Sequence, residues 1–147
     1  MPVYQPDPVT PAMEQRSPGQ LLADSSLELT SNGRAVINEG SALLRPGTKV
    51  YVPKAPRENW QHKMLQIRFL KEAGVQPVPH IVARQLASEN ELTWFVREAA
   101  IDFGVTRVLV IGGDQEEPAG PFKDAAAVIG SGILGDEGIR EIDVAGY

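Results

Sequence analysis

The sequence predicts an α/β protein built on a parallel sheet, and three observations carry that reading. From Ser26 onward, short β-rich runs alternate with helical patterns. The strand centres lie roughly 23 to 34 residues apart, the size of a βα unit. The run Val105–Ile111 is nearly all apolar and β-branched, as a strand buried on both faces of a helix-covered sheet requires. Two architectures meet these conditions: an open doubly wound sheet, or part of an eight-stranded βα barrel, which needs about 250 residues when complete. In both, chemistry sits at the C-terminal ends of the strands.

The predicted strands are Leu27–Thr30, Lys49–Pro53, Val78–Ala83, Val105–Ile111 and Ile139–Ala145. Between them the apolar period changes from two to about 3.6. Glu58–Ala73 offers Met64, Leu65, Ile67, Phe69 and Leu70 as an apolar face, with Gly74 as a stop. Ser88-Glu-Asn-Glu91 reads as a capping box. Leu92, Phe95, Val96, Ala99, Ala100 and Phe103 then recur at helical spacing before Gly104. A shorter helix is expected from Pro121 to about Ile129, opened by its proline. Ser31–Arg45 is short and interrupted by glycine, and is assigned to no element.

Composition narrows the function classes. The chain has 147 residues, 42% of them apolar and 22% charged, which is a globular balance sized for one domain. A net charge of −5 argues against nonspecific nucleic-acid binding, which needs a basic face. With no cysteine, disulfides, thiolate metal sites and thiol catalysis are excluded, and two histidines, His62 and His80, argue against a multi-histidine metal site. Residues 1–25 hold Pro2, Pro6, Pro8, Pro11 and Pro18 and are expected to form a poorly ordered arm ahead of a domain at 26–147. Neither a signal peptide nor a spanning apolar run is visible, so the protein is read as soluble, cytoplasmic and without a membrane partner.

The strand ends supply the candidate site residues: Glu28, then Tyr51 and Lys54, then His80 and Arg84, then Gly112-Gly113-Asp114, and Tyr147. An acid, an imidazole and a second carboxylate on one rim would donate protons and orient a polar ligand. Each residue also has a structural reading. Glu28 alternates with Leu27 and Leu29 and would then point out of the sheet. His80 follows Pro79 in an apolar run and would be a satisfied core histidine. Gly112-Gly113-Asp114 would be only the turn leaving a strand, and no G-x-G-x-x-G or P-loop is present.

Taken in order, Pro79-His80-Ile81, Leu86-Ala-Ser-Glu-Asn-Glu-Leu92, Gly104-Val-Thr-Arg-Val-Leu-Val-Ile-Gly-Gly-Asp114 and Val144-Ala-Gly-Tyr147 resemble segments of the methylenetetrahydrofolate reductase family. The resemblance covers about residues 26–147. It implies a (β/α)8 barrel of which about five βα units are present, a bound FAD, NAD(P)H as electron donor and a folate substrate. It also implies that Glu28 is the general acid toward the folate, held protonated by burial. Asp114 would lie beside flavin and pterin, with His80 and Tyr147 lining the flavin site and Tyr51, Gly112 and Gly113 completing the cofactor contacts.

The chain departs from the family's pattern at three places. It reads Tyr51-Val-Pro-Lys54 in place of a Thr-Tyr-Gly type sequence, has Gly112 where many relatives carry arginine, and stops where Pro-Glu would follow. The expectation is therefore a fragment of a longer product, or a half-barrel that associates with a second copy as a homo-oligomer. Two other functions stay open on sequence: a noncatalytic flavin- or folate-binding module or partner subunit, and an unrelated open α/β domain.

Overall fold

A computed structural model describes residues 25–30 and 33–145. The proposed arm therefore lies outside the described residues, apart from Ser25, and so does Tyr147. Five strands, β1 (Ser26–Glu28), β2 (Lys49–Val52), β3 (Gln76–Val82), β4 (Arg107–Ile111) and β5 (Glu141–Val144), form one sheet in the order β1-β2-β3-β4-β5. Every pairing is parallel. The order never reverses, so the doubly wound arrangement, which requires a reversal, is not adopted.

The helices are α1 (Arg34–Ala42), α2 (Trp60–Glu72), α3 (Glu89–Phe103), α4 (Ala125–Gly130) and α5 (Ile133–Asp136), with a 3-10 turn at Ala83–Gln85. Helix α1 fills the stretch left unassigned in the sequence; it buries Ile37 against Val50 and Leu70 despite its internal Gly40. Helix α2 starts at Trp60 because the Asn59 side chain accepts from the His62 N–H at 2.7 Å. The Ser88 cap of α3 is present, its hydroxyl accepting from the Glu91 N–H at 3.1 Å. The helix expected from Pro121 begins only at Ala125. There Asp124 caps it through the Ala127 N–H at 2.8 Å, while Phe122 is buried in the preceding loop. A carboxylate acceptor at the cap position outcompetes a proline that merely tolerates a first turn.

Period two divides the sheet into two chemically different faces. Val50, Val52, Ile81, Val108 and Val110 pack under the helices, against Ile67, Leu70, Phe95 and Leu92 among others. The register puts Glu28 and Tyr51 beside Val78, and His80 beside Leu109 and Asp143, on the opposite face. The strand buried along almost its whole length is β3, whereas β4 alternates, correcting the reading of Val105–Ile111. Arg107, Leu109 and Ile111 line the face that the helices of the described residues do not cover.

Strand β3 also starts earlier than predicted and holds Pro77 and Pro79. Gln76 donates its N–H to Thr48 O on the β2 side at 2.9 Å, so alternation turns positions 77 and 79 toward β4. Pairing with β4 begins only at His80, above both prolines, and no ladder donor is lost.

The helix-free face is concave. Tyr51 Oη on β2 donates to Asp143 Oδ2 on β5 at 2.7 Å. In a flat sheet those strands stand three spacings apart, roughly 14 Å, with side chains perpendicular to the plane. The contact closes only because the sheet curls.

Helix α2 departs from its predicted apolar face: Leu65 is exposed, while Lys63 and Gln66 are buried. Lys63 Nζ lies 3.0 Å from Glu58 Oε2, donates to Gln66 Oε1 at 2.7 Å and also donates to the Pro53 carbonyl. Glu58 in addition accepts from the Ala55 N–H at 3.1 Å and His62 Nδ1 at 2.7 Å. This cluster pins the end of β2 to α2. Burial pushes the Glu58 carboxyl up, but the hydrogen bond and charge of Lys63 outweigh it, and the net direction is down. A carboxyl depressed on folding adds stability above its unfolded value of about 4.3 and loses it as pH falls through the lower folded value. Glu58→Gln should therefore cost about 3 kcal/mol at pH 7. In urea denaturation the gap to wild type should narrow on acidification below the unfolded carboxylate range; a gap independent of pH would contradict the assignment.

Candidate functional site

Two groups of side chains occupy the concave face and its C-terminal rim. On the face itself, Tyr51 and His80 meet edge to face, ring centroids 6.1 Å apart at 67°. The Tyr51 hydroxyl is committed to Asp143. Arg107 Nη1 donates to Asp143 Oδ1 at 2.9 Å, and Nη2 pairs with Glu141. Burial, followed by the Asp143 carboxylate, holds the Tyr51 phenol above its ordinary value, so it stays a proton donor. His80 is only 7% exposed, and its Nε2 has no hydrogen-bond partner among the described residues. Burial lowers the His80 pKa, and the nearby Glu28 carboxylate partly opposes that shift. The imidazole is therefore neutral at pH 7 and presents an unspent nitrogen.

At the rim, Lys54 follows β2, Arg84 and Gln85 follow β3, and Gly112-Gly113-Asp114-Gln115 follow β4. A cleft of about 400 Å³ between them is lined by Lys54, Val82, Gln85 and residues 112–115. A second, of about 380 Å³, continues past Lys54 and Gln85 to Arg57, Trp60 and Glu91. Both fall in the size range of small-molecule sites, about 300–1,000 Å³. Lys54 Nζ donates to Gln85 Oε1 at 2.7 Å and stands 4.6 Å from the centre of the Trp60 ring.

Arg84 is not a free rim charge. Its Nε donates to Lys123 O and its Nη1 to Gln115 O, each at 2.8 Å, and its backbone exchanges bonds with Gly112 O and the Ala119 N–H. It ties the loop after β4 onto the end of β3. The glycines serve the same close packing. Gly113 has φ +97°, and a Cβ there would meet Val82 Cγ1 at 2.7 Å; a Cβ on Gly120 would come within 2.4 Å of Ala87 O.

The structure thus brings Glu28, Tyr51 and His80 together, and places Gly112, Gly113 and Asp114 with Lys54 on the rim. Glu28 is exposed, so the burial expected to hold its proton is absent, because β1 is a sheet edge with nothing beyond it among the described residues. Sequence reasoning missed Arg107, Asp143, Gln85 and Gln115. The period-two rule, carried through β4 and β5, places Arg107 and Asp143 on the Tyr51 face. Gln85 and Gln115 lie in irregular segments with no such period. Among the described residues no cluster of three or more His, Asp or Glu side chains is placed to hold a metal. No protein-family model matches the chain.

A flavin needs donors and acceptors around a flat heterocycle and bare backbone where it lies close. His80 Nε2 and Gln115 Oε1 are buried and unpartnered among the described residues, and Gly112 has open space over its Cα. Those residues fit such a group. Tyr51 can offer it a ring but not its hydroxyl.

His80 also titrates in a way that checks this geometry. Its C2–H resonance, assigned with His80→Asn, should titrate with a midpoint below about 6.5. A group lowered on folding stabilises the protein above its unfolded value and withdraws that stability as pH falls through the folded one. A midpoint at or above the ordinary histidine value would mean that His80 is solvated or already paired.

Proposed function

We propose that residues 26–147 are the first five βα units of a (β/α)8 barrel, in a cytoplasmic flavin-dependent reductase that converts 5,10-methylenetetrahydrofolate to 5-methyltetrahydrofolate with NAD(P)H. One observation carries the reading. The parallel strands run in sequential order and curl enough for Tyr51 on β2 to bond Asp143 on β5, which supports reading Glu28 on β1, His80 on β3 and Asp114 after β4 as parts of one site. The ordered motif matches in the sequence supply the particular chemistry.

FAD, when bound, supplies the hydride chemistry. The chain's own residues bind, orient and move protons. His80 Nε2 and Gln115 Oε1 would hydrogen-bond the cofactor, with Gly112 giving it bare backbone, while Gly113 packs against Val82 and Gln115. Asp114, exposed at the rim, would orient the folate. Glu28 would deliver a proton to a folate nitrogen as the methylene bridge opens, once further structure covers β1 and raises its affinity for that proton. A closed barrel has eight strands. Leu27 on β1 and Ile142 and Val144 on β5 are exposed apolar side chains at the two open edges. The remaining strands would come from a longer chain or a second copy.

A noncatalytic flavin- or folate-binding module is the second reading, favoured by the exposure of Glu28 and the committed Tyr51 hydroxyl. One experiment separates them. The protein is loaded with FAD, stripped of excess, and assayed for flavin absorption and for NAD(P)H-driven folate reduction. The reductase reading predicts retained flavin and turnover that Glu28→Gln abolishes while the flavin stays bound. Flavin without turnover selects the binding module, and a protein that retains neither flavin nor folate, loaded in the same way, overturns both for these residues.

A further inference from the structure

Lys54 is a buried charge without a contacting counter-ion among the described residues. It is nine-tenths buried, and its close partners there are a neutral amide, Gln85, and the face of Trp60. Among the described residues no carboxylate stands within ion-pairing distance of it. Lys63, more deeply buried, shows the contrast, because Glu58 answers it at 3.0 Å. A buried cation without a counter-charge is costly, and the cost falls when an anion arrives.

We propose that Lys54 anchors the phosphate group of a small, hydroxyl-bearing ligand in the cleft beside Gly112 and Gly113. It draws on groups the flavin reading also uses, Gln115 and the two glycines, and is tested with probes that carry no flavin. Three features choose the place and the chemistry. The far side of Lys54 mixes Glu58, Glu91 and Glu117 with Arg57 and Arg84, whereas the glycine side sets Lys54 against one carboxylate, Asp114. On that side the N–H groups of Gly113 and Asp114 donate to no acceptor among the described residues, and Gly112 puts no side chain in the way. An ammonium beside uncommitted backbone N–H groups is a combination that recurs at phosphate sites.

Gln115 Oε1 adds the second requirement. It is a buried acceptor with no donor among the described residues, lining the same cleft. A hydroxyl on the ligand's carbon skeleton would satisfy it, as in a sugar phosphate. Burial lowers the Lys54 pKa, with Glu58 and Glu91 opposing and Lys63 assisting that shift. A bound phosphate acts in the direction of restoring the charge.

The test titrates the ¹⁵N-labelled protein with inorganic phosphate, ribose 5-phosphate and, as the neutral control, ribose. Saturable shifts confined to the amides of residues 112–115 and Gln85 are expected, with ribose 5-phosphate binding more tightly than phosphate and ribose not binding. Lys54→Met, which keeps the alkyl stem on Trp60, should weaken ribose 5-phosphate binding about tenfold or more. No saturable shift, shifts centred elsewhere, or undiminished binding to a folded K54M protein would overturn the proposal. The wild-type shift map decides the location even if that variant does not fold.

Discussion

The hydrogen bond from Tyr51 to Asp143 is the constraint on which the other arrangements rest. It joins the second strand to the fifth across two intervening strands, and only a curled sheet permits it. Curling turns one face into a cavity and leaves the other convex for helices. Arg107 holds the Asp143 carboxylate from the same face, so the phenol meets an acceptor that is already oriented. The concave face can then carry Glu28, His80, Arg107 and Asp143, while the convex face is filled with valine and isoleucine.

Buried polar groups in this chain fall into two kinds. Lys63 and Glu58 satisfy one another and fix the end of β2, and Arg84 spends its donors on the loop that follows β4. Lys54, His80 Nε2 and Gln115 Oε1 lack such completion among the described residues. Leaving a buried polar group unmade costs about 1–3 kcal/mol. Lys54 and Gln115 stand just beyond the strand ends, where a ligand would recover part of that cost, whereas His80 Nε2 lies within β3 and Arg107 Nε, also unpartnered among the described residues, at the start of β4. This division separates the scaffold from the site more sharply than residue type does.

Much of this was legible in the sequence, for definite reasons. Strong periods reported themselves: the α3 stripe of Leu92, Phe95, Val96 and Ala99 is buried as its spacing requires, and the alternation of strand and helix gave the parallel sheet. Failures occurred where tertiary contacts override local pattern. Lys63 and Gln66 are interior because Glu58 and the Pro53 carbonyl meet them there, which no hydrophobic period announces. Leu65, apolar and on the predicted face, lies outside. Glu28 and His80 were placed near one another through the strand-end rule, but the exposure of Glu28 follows from its edge position, which depends on strand order. Gln85 and Gln115 depend on loop geometry that periodicity does not encode.

The most direct test of this account is a double-mutant cycle on Tyr51→Phe and Asp143→Asn, read by urea denaturation. If the cross-sheet bond holds the curl, the two substitutions should be coupled by about 1 kcal/mol or more. Strictly additive effects would mean that the two side chains do not meet in solution, and the concave face built on their contact would have to be abandoned.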